Sequence, residues 1–101
     1  MAKTSAVAKN IRRKKIINRD EEKRKALKNV IMNKESSPQE RMEAMIKTQK
    51  LARDGSKIRH RNRCNLTGRP RGYYRFCGIS RVALRENAGF GLIPGILKSS
   101  W

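Results

Sequence analysis

Between residues 55 and 85 the chain carries eight arginines and one lysine, and neither aspartate nor glutamate. Arg59, Arg61 and Arg63 alternate, which on an extended chain sets them on one side. Arg69, Arg71 and Arg75 surround a Gly/Pro loop, Thr67-Gly68-Arg69-Pro70-Arg71-Gly72. A guanidinium offers a planar fork of donors that bridges phosphate oxygens and also stacks on a base, so the pattern suits nucleic acid. Three of the five aromatic residues, Tyr73, Tyr74 and Phe76, lie in the same run. They are either stacking surfaces, at about 1–3 kcal/mol per stacked base, or members of a small local core.

Other chemistries find less support. His60 is the only histidine and stands four residues before Cys64, with Cys77 thirteen residues further on. A structural zinc site takes four ligands, usually in close-spaced pairs, and neither cysteine has such a neighbour. No metal is expected. A nucleophilic cysteine needs a base and an orienting group, and acids are absent from this neighbourhood, so no catalytic residue is expected. Both thiols read as packing residues in a reducing compartment.

The functional side chains must be positioned by a chain with little to bury. Its 101 residues hold 26 Lys and Arg against 8 Asp and Glu, a net charge of +18. Such a field favours an extended polyanion as partner and disfavours acidic small molecules. Valine, isoleucine, leucine and phenylalanine together number 20, near the one-in-five level below which highly charged chains tend to be disordered. Ordering such a chain costs on the order of 100–200 kcal/mol of conformational entropy, so the partner is expected to complete the fold. The longest uncharged stretches, such as Ala88 to Leu97, fall well short of the roughly 20 apolar residues that span a bilayer.

Charge is unevenly spread. Residues 1–25 carry ten basic and three acidic side chains, 26–54 six and four, 55–85 nine and none, and 86–101 one of each. The division suggests a basic helical extension over 1–54 and an Arg-rich module, binding RNA or DNA, with a C-terminal helix and tail over 55–101. In the extension, Leu27, Val30 and Ile31 fall at helical spacing behind an acidic first turn of Asp20, Glu21 and Glu22. Ser37-Pro38-Gln39-Glu40 has the form of a capping box ahead of Met42, Met45 and Ile46. The two helices are expected to pair across residues 33–36, with the Met and Ile stripe as packing. Asp54-Gly55-Ser56 breaks the helical pattern. In the module, Tyr73 to Phe76 read as a short strand. Ser80 reads as the N-cap of a helix that runs through Val82 and Leu84 and stops near Gly89, ahead of a turn-rich tail.

At Arg61-Asn62-Arg63-Cys64-Asn65-Leu66-Thr67-Gly68-Arg69-Pro70-Arg71-Gly72, at Gly78-Ile79-Ser80-Arg81 and at Ile93-Pro94-Gly95-Ile96-Leu97-Lys98-Ser99-Ser100-Trp101, the chain closely resembles the small-subunit ribosomal protein fourteen family. The likeness covers the full length. The start Met1-Ala2-Lys3, the basic extension and the total length resemble the long bacterial-type form, whereas the short form has only the C-terminal module. The zinc-binding form of the family carries two Cys-x2-Cys pairs. Aligned on the Gly-Arg-Pro motif, those positions are Cys64, Thr67, Ser80 and Ala83 here, so the resemblance is to the zinc-free branch.

The resemblance implies a fold that is mainly α with irregular loops. N-terminal helices would precede a small zinc-ribbon-like module lacking zinc, in an extended, low-core ribosomal protein. It also implies a structural, non-catalytic constituent of the small ribosomal subunit. Such a protein would bind the 3′ major domain of the subunit's ribosomal RNA, touch small-subunit ribosomal proteins three, ten and nineteen, and support assembly and conformation of the subunit head during translation. The RNA contacts expected are Lys57, Arg59, Arg61, Asn62, Arg63, Arg69, Arg71, Tyr73, Arg75, Arg81, Arg85 and Lys98, with no cofactor, membrane or small-molecule substrate. The location expected is the cytoplasm, within the subunit, with a mitochondrial ribosome as the alternative.

Two other classes compete on the residues alone. A free nucleic-acid regulator should fold by itself, whereas a structural ribosomal protein should be poorly ordered until assembled. A membrane-active cationic peptide needs an amphipathic helix with a broad apolar face, which the Arg-rich segment lacks.

Overall fold

Residues 4–32 contain neither glycine nor proline and are rich in alanine, lysine and arginine, all good helix formers. In the computed structural model, which describes residues 2–99, they form one helix, α1 (Thr4–Met32). This corrects the expected start at Asp20-Glu21-Glu22. Nothing in residues 4–19 breaks a helix, so those acids lie in mid-helix. Met1 and the Ser100-Trp101 end of the tail motif lie outside the described residues.

Ser37 caps α2 (Pro38–Lys50) as its capping box requires. Its hydroxyl accepts the Glu40 N–H at 3.3 Å, and the Glu40 carboxylate accepts the Ser37 N–H at 3.4 Å. The Met and Ile stripe expected to pack between the two helices stays largely uncovered. Met42 is 64% exposed and Met45 51%, and Ile46 and Val30 are exposed too. Only Ala44 of α2 is buried. The stripe has helical spacing, but the described residues leave much of it uncovered.

The chain forms two compact units, one of residues 9–60 and one of residues 61–99 with 2–8. In the first, two 3-10 turns (Arg53–Gly55 and Lys57–Arg59) are fastened to α1 by polar contacts. The Arg24 guanidinium donates to Ala52 O at 2.7 Å, Arg13 pairs with Asp54 at 3.3 Å and the Lys57 ammonium pairs with Glu21. Asp20, 2% exposed, is gripped by the Arg19 fork at 2.7 and 3.0 Å. That hydrogen bonding holds its carboxyl below the usual carboxylate range against the opposing effect of burial.

The second unit is built around turns. Cys64 N–H donates to Arg69 O at 3.0 Å and Gly68 N–H to Cys64 O at 2.8 Å, closing the 64–69 loop. Asn65 N–H then ties that loop to Gly78 O at 3.1 Å. A two-stranded antiparallel hairpin follows, in which β1 (Tyr73–Tyr74) pairs with β2 (Ile79–Ser80) in the register Tyr73 to Ser80 and Tyr74 to Ile79. The strand expected to reach Phe76 stops at Tyr74, because Gly78, at φ +71°, turns the chain back and its N–H closes on Tyr74 O at 2.8 Å. Ser80 caps α3 (Arg81–Gly89) as expected, accepting the Ala83 N–H at 3.4 Å.

The described residues are thus mainly helical, with three α-helices and one small sheet. Among them the buried apolar side chains are Ile17, Ala44, Cys64 and Ala83, and no helix is long and apolar enough to cross a membrane.

Gly68 and Gly91 separate backbone strain from crowding. Both have φ just above +70°, a region that costs other residues about 1–2 kcal/mol. A Cβ at Gly68 would also stand 2.8 Å from the Val7 side chain, whereas one at Gly91 meets nothing within 4 Å. In the partner-bound chain, Gly68→Ala should therefore reduce amide-exchange protection at Cys64 and Gly68 by more than Gly91→Ala reduces it at Gly91 and Leu92. Equal losses would contradict the close approach of Val7 to the loop.

Candidate nucleic-acid interface

Ten of the twelve expected RNA contacts belong to the unit of residues 61–99, and Lys57 and Arg59 to the other. Lys57 is occupied by Glu21. Arg59 lies in a 3-10 turn, 3.6 Å from Asp54, so it does not continue the extended alternation expected with Arg61 and Arg63. That is a correction with a local cause: Asp54 draws the guanidinium back to its own unit.

Arg61 and Arg63 act first as loop supports. Arg61 Nε donates to Pro70 O at 2.9 Å and Arg63 Nη1 to Gly68 O at 3.0 Å, while Arg63 Nε is buried without a partner. Each holds a carbonyl of the Gly/Pro loop that no backbone donor among the described residues reaches. Asn62, Arg71, Arg75, Arg81 and Arg85 are exposed, and Arg69 and Tyr73 are half-buried. Lys98 is exposed, but its ammonium approaches Gly89 so closely that a Cβ there would stand 2.8 Å from Nζ. It thus sits at the C-terminal end of α3, where a cation is favoured by the helix dipole.

The aromatic alternatives separate cleanly. Tyr74 and Phe76 lie with ring centroids 5.8 Å apart, tilted by 43°. They are 42% and 74% exposed, so this pair forms a surface platform rather than a local core.

In the same unit, Cys64 is 3% exposed and Ser80 1%. Burial pushes the Cys64 thiol up, but the Thr67 hydroxyl and the backbone N–H groups of Thr67, Ser80 and Leu66 together bring it down to about 6. Thr67 Oγ1 is itself buried without a well-formed hydrogen bond. Thr67, Ser80 and Ala83 border one cleft of about 360 Å³. Among the described residues, no group of three or more His, Cys, Asp or Glu side chains comes together.

Sequence reasoning passed over the cations of α1. Lys9, Arg12, Lys14 and Lys15 are exposed on it, and the uninterrupted run of helix formers was the available signal.

Comparison with known proteins agrees with this arrangement. The family model described as Ribosomal protein S14p/S29e matches residues 47–100, which include the Arg-rich loop, the hairpin and the capped helix. Proteins named small ribosomal subunit protein uS14 from Sinorhizobium medicae, Rhizobium meliloti and Brucella anthropi are 55%, 54% and 52% identical to this chain. Each alignment covers the whole of both chains. With over half of its residues inside the family match and relatives this similar along its full length, the chain belongs to the ribosomal protein S14p/S29e family.

Proposed function

We propose that the protein is a structural, non-enzymatic constituent of the small ribosomal subunit, working in the cytoplasm through contacts with ribosomal RNA and neighbouring ribosomal proteins. The observation that carries this reading is the acid-free surface of residues 61–85, on which Arg71, Arg75, Arg81 and Arg85 are exposed in a chain of this family. The RNA engaged is the 3′ major domain, in the subunit head, and the module of residues 55–101 supplies most of the affinity.

The protein neighbours proposed are ribosomal proteins three, ten and nineteen. A surface on α2 favours protein contact. Residues 35–46 hold Glu35, Glu40 and Glu43 against one cation, Arg41, whose guanidinium turns back onto Asn33 O. Exposed Met42, Met45 and Ile46 lie among these acids. Such a face repels phosphate and gains by burying apolar area against protein.

Each phosphate contact contributes roughly 0.7–0.9 to the slope of log affinity against log salt. Sedimentation of tagged protein with small subunits over a salt series tests the division. Arg69→Ala, Arg71→Ala and Arg75→Ala together should flatten that slope and release protein at moderate salt, because none of the three side chains supports the loop. Lys28→Ala, Lys34→Ala and Lys47→Ala should matter less. Equal losses would contradict the proposed division, and wild-type protein absent from the subunit fraction would contradict the ribosomal reading.

We further propose that the 64–83 region keeps the backbone of a zinc ribbon without the metal. Supporting this, the Thr67 hydroxyl and the Ser80 amide face the Cys64 sulfur and Ser80 contacts Ala83, and the thiol is held by N–H groups of its own turn. Thr and Ser are near-isosteres of Cys, and Ala is Cys without its sulfur, so little volume changes. Thr67→Cys, Ser80→Cys and Ala83→Cys together should bind about one zinc per chain with Cys64, measured by elemental analysis after dialysis. Structural zinc contributes on the order of 10–16 kcal/mol in small finger peptides, so the variant should also gain order when free. A triple variant that stays empty would mean that the ribbon geometry is absent.

A further inference from the structure

A cleft of about 740 Å³ opens between α3 and the tail at residues 96–99, within the size range of small-ligand sites. Arg81 and Arg85 stand on one face of α3, four residues apart, and both line the cleft. Among the described residues neither guanidinium has a hydrogen-bond or ion-pair partner. The Arg81 stem is packed where a side chain at Gly72 would stand, 3.1 Å from the place of its Cβ. Lys98 reaches in from the tail, its ammonium seated against Gly89 at the C-terminal end of α3, as a third cation of the cleft. Glu86 is the only acid among the residues that line the cleft.

Cations alone would suit any phosphate. Apart from Ser99, the remaining walls are apolar and aromatic, among them Val82, Ile96 and Leu97, with Tyr74 beside them. The tyrosine ring is braced by Phe76 yet remains 42% exposed. A duplex keeps its bases stacked inside and has no use for such walls, whereas an unpaired nucleotide can splay its base onto an aromatic ring.

We propose that this cleft receives a single unstacked nucleotide of the RNA, its base against Tyr74 and its phosphate among Arg81, Arg85 and Lys98. The inference rests on the ribosomal reading above and adds to it one site and one ligand class, a flipped-out ribonucleotide. Tyr74 is the residue that distinguishes this site from a plain phosphate contact.

The test is nucleotide-resolution 2′-hydroxyl acylation of small subunits assembled with each protein. Tyr74→Leu keeps apolar bulk but removes the stacking face, and should raise the reactivity of one unpaired nucleotide roughly five-fold or more. Arg85→Gln should raise the same nucleotide. Phe90→Leu, at an exposed ring outside the cleft, should leave it unchanged. Subunits that incorporate Tyr74→Leu and Arg85→Gln with no nucleotide altered would overturn the proposal, as would changes spread along a duplex. Wild-type protein missing from the subunits would instead contradict the ribosomal reading on which the cleft depends.

Discussion

Self-repulsion among eighteen unbalanced positive charges on 101 residues is the constraint to which every other feature of this protein answers. Four buried apolar side chains among the described residues cannot offset the entropy of ordering such a chain. The fold is instead closed by polar devices. Arginines are placed on carbonyls at Ala52, Gly68 and Pro70, one buried aspartate is gripped by Arg19, and backbone amides close each turn of the 64–78 segment. Exposed ion pairs such as that of Lys57 with Glu21 add only about 0–1 kcal/mol each. RNA removes the difficulty at its source, because phosphates supply the missing counter-charge.

Cations therefore divide into two sets. Arg13, Arg24, Arg61 and Arg63 shape the chain by satisfying carboxylates and carbonyls. Arg71, Arg75, Arg81 and Arg85 are left exposed on the loop, the hairpin turn and α3. Composition gives both sets the same weight, and only the structure tells them apart. Arginine suits both tasks, since one guanidinium has several donors and can hold a carbonyl while still facing a phosphate.

Features fixed by neighbours in the chain were legible in the sequence. The Ser37 capping box and the Ser80 cap are local hydrogen bonds between residues three apart, and the pattern alone announces them. The start of α1 was hidden because three adjacent acids imitate a first turn. The Met42, Met45 and Ile46 stripe was read as internal packing, the usual fate of such a stripe in a self-sufficient domain; here it is exposed. Strand β2 was missed because two residues carry no periodicity. The approach of Thr67 and Ser80 to Cys64 joins positions up to sixteen residues apart, and it came within reach of the sequence only through a family resemblance.

A protein held this way should be completed by its RNA. Amide hydrogen exchange on the full chain, free and within assembled small subunits, measures that directly. The account predicts weak protection over residues 55–99 in the free chain and strong protection of the 64–83 amides in the subunit. Strong protection throughout the free chain would show that the protein needs no counter-charge to fold, and would contradict the account.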